Sequence, residues 1–288
     1  MTTHGTRRLA WSLFALVMAL AIAAVVLAAL NGFANAFAWG SRGVTFAVLA
    51  PGFASALVGA LIASRQPRNA VGWICLGIAV ALAFNIAGAH YAYLGIETDP
   101  GGVRASRVVG AIVEWIWLAW VGPLFVHLVL LFPDGRPPSA RWRVVAWLSA
   151  ATFVAVGVSG MLGATSLERY PDVRNPLALE GSADLLGAVS ELGLNFALTL
   201  LVVASAVSMV LRFRRAGGQE RDQIKWFALA AGVLGVVIPI GVFTFFQATA
   251  GGAQAPLIAQ DLMTVGFAAP WSPPASRSCA TGCTTSTS

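Results

Sequence analysis

The sequence predicts an all-α protein, a polytopic bundle of membrane helices with seven full transmembrane helices and an incomplete eighth. The composition is 58% hydrophobic and only 10% charged, whereas soluble domains carry about 25% charged residues. Apolar runs of about 20 residues, the length that crosses a hydrocarbon core of ~30 Å as a helix, recur along almost the whole chain. Lys and Arg fall mainly in the short connectors between these runs.

Glycine, proline, asparagine and charged residues mark the ends of each apolar run. The full spans are predicted at residues 9–31, 44–64, 71–95, 108–132, 144–164, 184–211 and 226–250. An eighth run begins near Leu257 and breaks down at Pro270. The first run follows Arg7 and Arg8, as in a signal peptide, but it exceeds the roughly 7 to 15 apolar residues of such peptides, so an uncleaved helix is expected.

The distribution of basic residues predicts the orientation. With a cytoplasmic N-terminus, the inner segments hold twelve Lys and Arg residues and the outer segments hold five, while Arg277 lies in the tail. The positive-inside rule therefore predicts a multipass protein of the plasma (inner) membrane with its N-terminus in the cytoplasm.

The net charge of +6 does not indicate a nucleic-acid partner, because the basic residues lie in connectors where they contact lipid headgroups. The expected partner of this surface is the lipid bilayer. Cys75, Cys279 and Cys283 form neither a disulfide framework nor a familiar metal-binding spacing. The sequence therefore predicts no metal site and no cofactor within this chain.

Ionisable residues inside the spans are candidates for function, because each costs about 2.5 to 3.5 kcal/mol to insert. His90, Glu114, Glu191 and Asp261 are all predicted at the outer half of the membrane. They suggest a polar site for a cation, a proton or a small ligand, although acids this close to the interface can instead reach headgroup water. His127 lies deeper, where a neutral histidine with a hydrogen bond across a helix contact is expected, and a proton relay is the alternative.

The connector at residues 165–183, "TSLERYPDVRNPLALEGSA", is the longest predicted outer loop. Its length is only mildly unusual, which favours a plain connector. The alternatives are a cap over the bundle or a surface that meets a ligand.

Three predicted inner connectors contain specific motifs: "SRQPRNAVGW", "LLFPDGRPPSARWR" and "RFRRAGGQERDQIKW". In the first, Asn69 can cap the following helix and Trp73 lies at the interface. In the second, Pro133-Asp134-Gly135 provides turn chemistry. The candidate motif residues are Asn69, Gly72, Trp73, Pro133, Asp134, Gly135, Arg136, Glu220, Arg221, Gln223, Lys225 and Trp226.

Together these motifs resemble the N-terminal membrane sensor region of actinobacterial-type two-component sensor histidine kinases. That family has segments of the type "NP-(I/V)-GW", "LFPDGR" and "G-x-ER-x-Q-(I/L)-(K/R)-W" in successive inner connectors, and the outer "NPL" at residues 175–177 also fits. The resemblance covers about residues 44–269. Ala70 departs from it, because the family usually has proline there.

The resemblance implies a homodimeric sensor that passes a conformational change through its last helix to a cytoplasmic kinase domain. That domain would carry the phosphoacceptor histidine, bind ATP and Mg²⁺, and phosphorylate a response regulator. The sequence given contains neither a phosphoacceptor segment nor a nucleotide loop, so no kinase activity is expected of the chain as it stands. The alternative is a stand-alone multipass membrane protein, either a small permease or a partner subunit, although internal repeats typical of transporters are not evident.

The tail at residues 270–288, "PWSPPASRSCATGCTTSTS", ends the eighth apolar run abruptly. In a reading frame displaced by one base, synonymous codons allow residues 271–288 to become "LVSAGIAVLRYRLHDIDL", which completes a helix of normal length. We therefore expect residues 1–269 to form the sensor domain and residues 270–288 to be a non-native tail produced by a frameshift.

Overall fold

The computed structural model of the chain describes residues 3–36 and 44–218. These ranges contain six helical elements: α1 (Thr3–Leu30), α2 (Val44–Arg65), α3 (Ala70–Thr98), α4 (Ser106–Leu131), α5 (Ala140–Gly163) and α6 (Ala183–Arg215). All but α2 are long and apolar enough to cross a membrane, and α2 is apolar over Leu49–Arg65. The helices indicate a multipass membrane protein, and five of the seven predicted full spans are confirmed as long apolar helices. The predicted span 226–250 and the incomplete eighth lie outside the described residues.

Three of the helices contain a π-helical turn. In α3 it occupies Leu94–Thr98 at the end, in α4 it occupies Pro123–Leu128, and in α6 it occupies Gly193–Ala197. The turn in α4 begins at a proline, which has no N–H group and whose ring crowds the preceding turn of an α-helix. Pro123 therefore gives a local reason for the departure from α-helical geometry.

The helices form two three-helix groups that share an interface. Helices α1, α2 and α3 pack together, α3 also packs on α4, and α4 packs on α5 and α6. In the most apolar 18-residue stretch of α3, 61% of the residues are buried. The corresponding stretches of the other four long helices have 17% to 33% of their residues buried. Helix α3 is therefore the central element of the described bundle.

Small residues bring α2 and α3 close together. Ala56, Ala60 and Ala63 of α2 are fully buried. A β-carbon added to Gly59 would lie 2.8 Å from the carbonyl oxygen of Gly72, and one added to Gly72 would lie 2.7 Å from the backbone nitrogen of Ala63. Close backbone approach through small residues is a common way to associate helices in lipid, where no hydrophobic force draws them together.

Asparagine side chains provide polar contacts between α3 and its neighbours. The Asn85 amide of α3 donates to the carbonyl of Val113 in α4 at 2.8 Å. The Asn31 amide, just after α1, donates to the carbonyl of His90 at 2.9 Å, and its oxygen accepts from the Thr98 hydroxyl. These bonds satisfy amide groups that are costly to bury unpaired.

We expect Gly72→Ala to destabilise the bundle by about 1 to 3 kcal/mol, because the new methyl group would meet the backbone of α2. Gly77→Ala is the matched control, since it lies on the exposed side of the same helix with no atom within 4 Å of an added β-carbon. Alanine there should be neutral or stabilising by up to about 1 kcal/mol. Denaturant unfolding in detergent micelles measures both, and equal effects would contradict the close contact.

Candidate functional site

The described connectors lie at two chemically different ends of the bundle. The basic end comprises the last turn of α2, the α2–α3 and α4–α5 connectors, the first turn of α5 and the last turn of α6. Its arginines are Arg65, Arg68, Arg136, Arg141, Arg143, Arg212, Arg214 and Arg215. The loop end comprises the last turn of α3, the α3–α4 connector and the α5–α6 loop at residues 164–182. It has the acids Glu97, Asp99, Glu168, Asp172 and Glu180 together with Arg104, Arg169 and Arg174.

The α5–α6 loop is folded onto the bundle. Leu167 is fully buried and Tyr170 is 5% exposed, and both pack against Ala111 of α4. Backbone hydrogen bonds within the loop include that from Leu167 to the carbonyl of Val173. The preference for a plain connector was therefore wrong, and the alternative of a cap is the arrangement found. The apolar residues of "LERYPDV" were the sequence signal for this burial.

Asn175 fixes the second half of the loop to the end of α5. Its side chain is 3% exposed and donates to the carbonyls of Met161 and Ala164 at 2.9 and 2.8 Å. Its oxygen accepts from the backbone nitrogen of Leu177. The asparagine thus satisfies carbonyl groups at a helix end that would otherwise lack partners.

The first half of the loop is attached to Glu114 of α4. The backbone nitrogen of Arg169 donates a hydrogen bond to the Glu114 carboxylate at 3.1 Å. The backbone N–H group of Glu168 also donates to this carboxylate. A carboxylate that accepts backbone N–H groups forms charge-assisted hydrogen bonds, which are stronger than neutral ones. Glu114 therefore acts as an anchor for the loop.

The side chain of Arg169 reaches from the loop to α3 and to the segment after α1, and it also lies against the neighbouring Tyr170 of the same loop. Its guanidinium carbon lies 5.8 Å from the ring centre of Tyr93 and 5.5 Å from that of Tyr170. One terminal nitrogen donates to the carbonyl of Asn35 at 3.0 Å. The guanidinium is therefore positioned by two aromatic rings and a carbonyl.

The hydroxyl of Tyr170 is buried beside this guanidinium. Burial raises the pKa of the hydroxyl well above its usual range. The charge of Arg169 lowers the pKa by a smaller amount, and the acids Glu97 and Glu114 raise it slightly further. The hydroxyl is therefore protonated at neutral pH and is available as a hydrogen-bond donor. Within the described ranges it has no hydrogen-bond partner.

The four predicted polar-site residues have different environments. Glu114 is half-buried under the loop, and His90 of α3 is 1% exposed. Glu191 is exposed on α6, and Asp261 lies outside the described residues. The residue that the structure brings to Glu114 is Arg169, which the sequence alone did not single out. Among the described residues there is no group of three or more His, Cys, Asp or Glu side chains arranged to hold a metal ion.

His127 forms the expected hydrogen bond across a helix contact. Its Nε2 atom lies 3.1 Å from the carbonyl oxygen of Ala146 in α5 and 3.2 Å from the hydroxyl of Ser149. A carbonyl oxygen can only accept, so Nε2 carries the proton in this bond. The side chain therefore joins α4 to α5, and this confirms the structural role predicted for it.

At the basic end, the first two connector motifs meet. The Asn69 side chain accepts from the backbone nitrogen of Val71 at 3.0 Å, which confirms the predicted cap of α3. Its amide also donates to the carbonyl of Pro133 in the second motif, at 3.4 Å. Gly135 has φ +72°, as expected of a turn glycine, and a β-carbon there would overlap Asn69 and the backbone nitrogen of Ala70. Only glycine fits this contact.

Arg212, at the start of the third connector segment, contacts the second motif at the same end of the bundle. The guanidinium of Arg212, in the last turn of α6, donates to the carbonyl of Phe132 and to that of Arg136, the latter at 2.7 Å. A cation is favourable at this position because the last carbonyls of α4 carry partial negative charge. We call Asn69, the Phe132–Arg136 turn and Arg212 the connector junction. The remaining motif residues, Glu220, Arg221, Gln223, Lys225 and Trp226, lie outside the described residues.

We expect Glu114→Gln to loosen the loop, because the substitution keeps an acceptor oxygen but removes the charge from the bond to the Arg169 amide. Amide hydrogen exchange in residues 165–174 should accelerate about tenfold, equivalent to ~1.4 kcal/mol. Glu191→Gln, at an exposed position, should leave this exchange unchanged. Mass spectrometry of the protein in micelles measures the exchange, and the same rates in both variants would refute the anchor.

We expect Gly135→Ala to cost about 1 to 3 kcal/mol more than Gly101→Ala. Both glycines have positive φ, +72° and +86°, so alanine is strained at each. An alanine at 135 must in addition push away the backbone at Asn69 and Ala70, whereas Gly101 has no atom within 4 Å of an added β-carbon. The difference is measured by unfolding in detergent, and its absence would show that the two connectors are not in contact.

The two ends of the bundle thus hold different kinds of contact. The loop end has an anchored carboxylate and a guanidinium between aromatic rings, while the basic end has a junction of connector backbones. No protein family, curated protein or solved structure matches the chain.

Proposed function

We propose that the chain is the membrane-embedded signal-sensing region of a two-component histidine kinase, in the plasma (inner) membrane, with its N-terminus and its basic end in the cytoplasm. The observation that carries the proposal is the connector junction. Two of the three motifs behind the family resemblance contact each other there, and Arg212, which precedes the third family pattern by six residues, contacts the second motif. If each connector motif served only as an independent hairpin between two membrane helices, hydrogen bonds between the motifs would not be required.

The junction supplies a physical route for a signal. Arg212 attaches the end of α6 to the end of α4, and Asn69 attaches the end of α4 to the start of α3. A shift of α4 relative to α3 therefore changes the contacts available to the end of α6, from which the chain continues. A sensor requires such coupling between its transmembrane helices and the segment that follows them.

The catalytic parts of the proposed kinase belong to a region beyond the sensor. ATP and Mg²⁺ would bind there, a response regulator would receive the phosphoryl group, and dimerisation would bring two sensors together. We propose that residues 270–288 replace the end of the eighth helix and the segment just after it through a shift of reading frame, so that the catalytic region does not follow. As it stands, the chain would bind no nucleotide and transfer no phosphate.

The coding DNA tests the proposal directly. Read in the displaced frame after codon 270, it should encode the end of an eighth helix, a phosphoacceptor segment and an ATP-binding domain. The corrected protein, in membrane vesicles, should then incorporate phosphate from ATP. A displaced frame that encodes no kinase domain would refute the proposal and favour the stand-alone membrane protein.

We expect Arg212→Ala to separate the ends of α4 and α6, because it removes hydrogen bonds from a charged donor, each worth about 1.5 to 3 kcal/mol. Spin labels are placed on cysteines at the exposed positions Ser139, in the α4–α5 connector, and Arg215, in the last turn of α6, with Cys279 and Cys283 changed to serine and the buried Cys75 retained. They report the distance between the connector after α4 and the end of α6. Its distribution should broaden and shift outward in Arg212→Ala. Arg214→Ala, one residue from the label but exposed, should not change it. An unchanged distribution in both variants would remove the proposed route.

A further inference from the structure

Arg169 is a charged residue held without an ion pair. Among the described residues, the ion pair found is Arg174 with Glu180, both exposed, and none joins Arg169 to a carboxylate. The Nε atom of Arg169 is buried and has no hydrogen-bond partner within the same ranges. Its charge is instead balanced by the faces of Tyr93 and Tyr170 and by the Asn35 carbonyl. This is an incomplete set of contacts for a guanidinium, which can donate five hydrogen bonds.

The surroundings of the guanidinium have the chemistry of an organic-cation site. Two aromatic faces and a carbonyl oxygen are the groups with which proteins hold alkylammonium and guanidinium ligands. The buried Tyr170 hydroxyl adds a polar atom without a partner in the described part of the chain. Glu97 and Glu114 act electrostatically on this hydroxyl, so negative charge lies near the site beside the positive charge of Arg169 itself.

The position of Arg169 in the chain connects this site to the loop. Its side chain lies between the tyrosines, while its own backbone nitrogen donates to Glu114. The contacts of the guanidinium with the rings and the attachment of the turn to Glu114 therefore belong to one residue. Tyr93 belongs to α3 and Glu114 belongs to α4. Arg169 therefore contacts both of the helix groups, at the interface between them.

We propose that Tyr93, Tyr170 and the Asn35 carbonyl form a binding site for a small organic cation, which Arg169 occupies until the ligand displaces it. The ligand replaces one cation with another of the same class, so the two aromatic faces and the carbonyl remain in contact with a cation. Displacement releases the side chain of Arg169 and loosens the loop at Glu114. For its role in signalling this inference rests on the proposed sensing function, which it deepens by naming the class of stimulus.

Binding of methylguanidinium to the full chain in detergent micelles tests the site, with calorimetry as the readout. Arg169→Ala empties the site and removes the competitor, so it should bind methylguanidinium at least about tenfold more tightly than the wild type. Arg174→Ala, on the same loop, should bind as the wild type does. Urea, which is nearly isosteric with guanidinium but neutral, should not bind in the same concentration range.

Ring variants locate the binding. In the Arg169→Ala background, Tyr170→Phe keeps the aromatic face and should retain binding, whereas Tyr170→Leu should lose it. Circular dichroism and hydrogen exchange in α3 and α4 verify that both variants are folded, and Tyr93→Leu repeats the test on the other ring if one variant is not. In the wild type, methylguanidinium should also accelerate exchange of the amides at 167–173.

Three results would overturn the proposal: no binding to Arg169→Ala, equal binding to the wild type and Arg169→Ala, or binding that survives loss of the aromatic rings. These readouts do not involve phosphorylation. A kinase domain missing from the displaced frame would refute the proposed sensing function and leave the binding site intact. Conversely, a kinase without cation binding would refute only the site.

Discussion

Hydrogen bonds from asparagine side chains to backbone carbonyls hold the central helix in place, and the rest of the described bundle is arranged around that helix. Asn31 bonds to α3 near the loop end, Asn85 of α3 bonds to α4, and Asn69 at the start of α3 bonds to the α4–α5 connector. In a membrane an amide without a partner is costly, and each interhelical bond contributes about 0.6 to 2 kcal/mol. Three such bonds at different depths define the position of α3 against neighbours whose surfaces are otherwise apolar.

Between these bonds, the separation of the helices is determined by small side chains. Gly59 and Gly72 allow α2 and α3 to touch along their backbones, and Gly160 leaves room for the ring of Trp115 between α4 and α5. Lipid provides no hydrophobic force for association, so helices gain most where their surfaces fit closely. The polar bonds therefore determine which helices meet, and the glycines determine how closely.

The helices and the local caps were predictable from the sequence because each depends on neighbouring residues. Apolar length gave the spans, Asn69 before α3 gave the cap, and Pro133-Asp134-Gly135 gave the turn. The contacts that link distant segments were not predictable. Arg169 looked like one of several loop charges, and nothing in its neighbours indicates that Tyr93 and Asn35 would surround it. Likewise Arg212 is one of three arginines in the last turn of α6, and its contact with the carbonyls of the α4–α5 turn depends on how α4 and α6 cross.

The connector junction is made almost entirely of contacts to main-chain atoms. Asn69 and Arg212 bind the carbonyls of Phe132, Pro133 and Arg136, and Gly135 is required for its missing side chain. The hydrogen bonds of the junction therefore depend on the spacing of these carbonyls along the turn. A one-residue insertion or deletion in this turn would move the carbonyls away from Asn69 and Arg212 together, so it would do more harm than most single substitutions there.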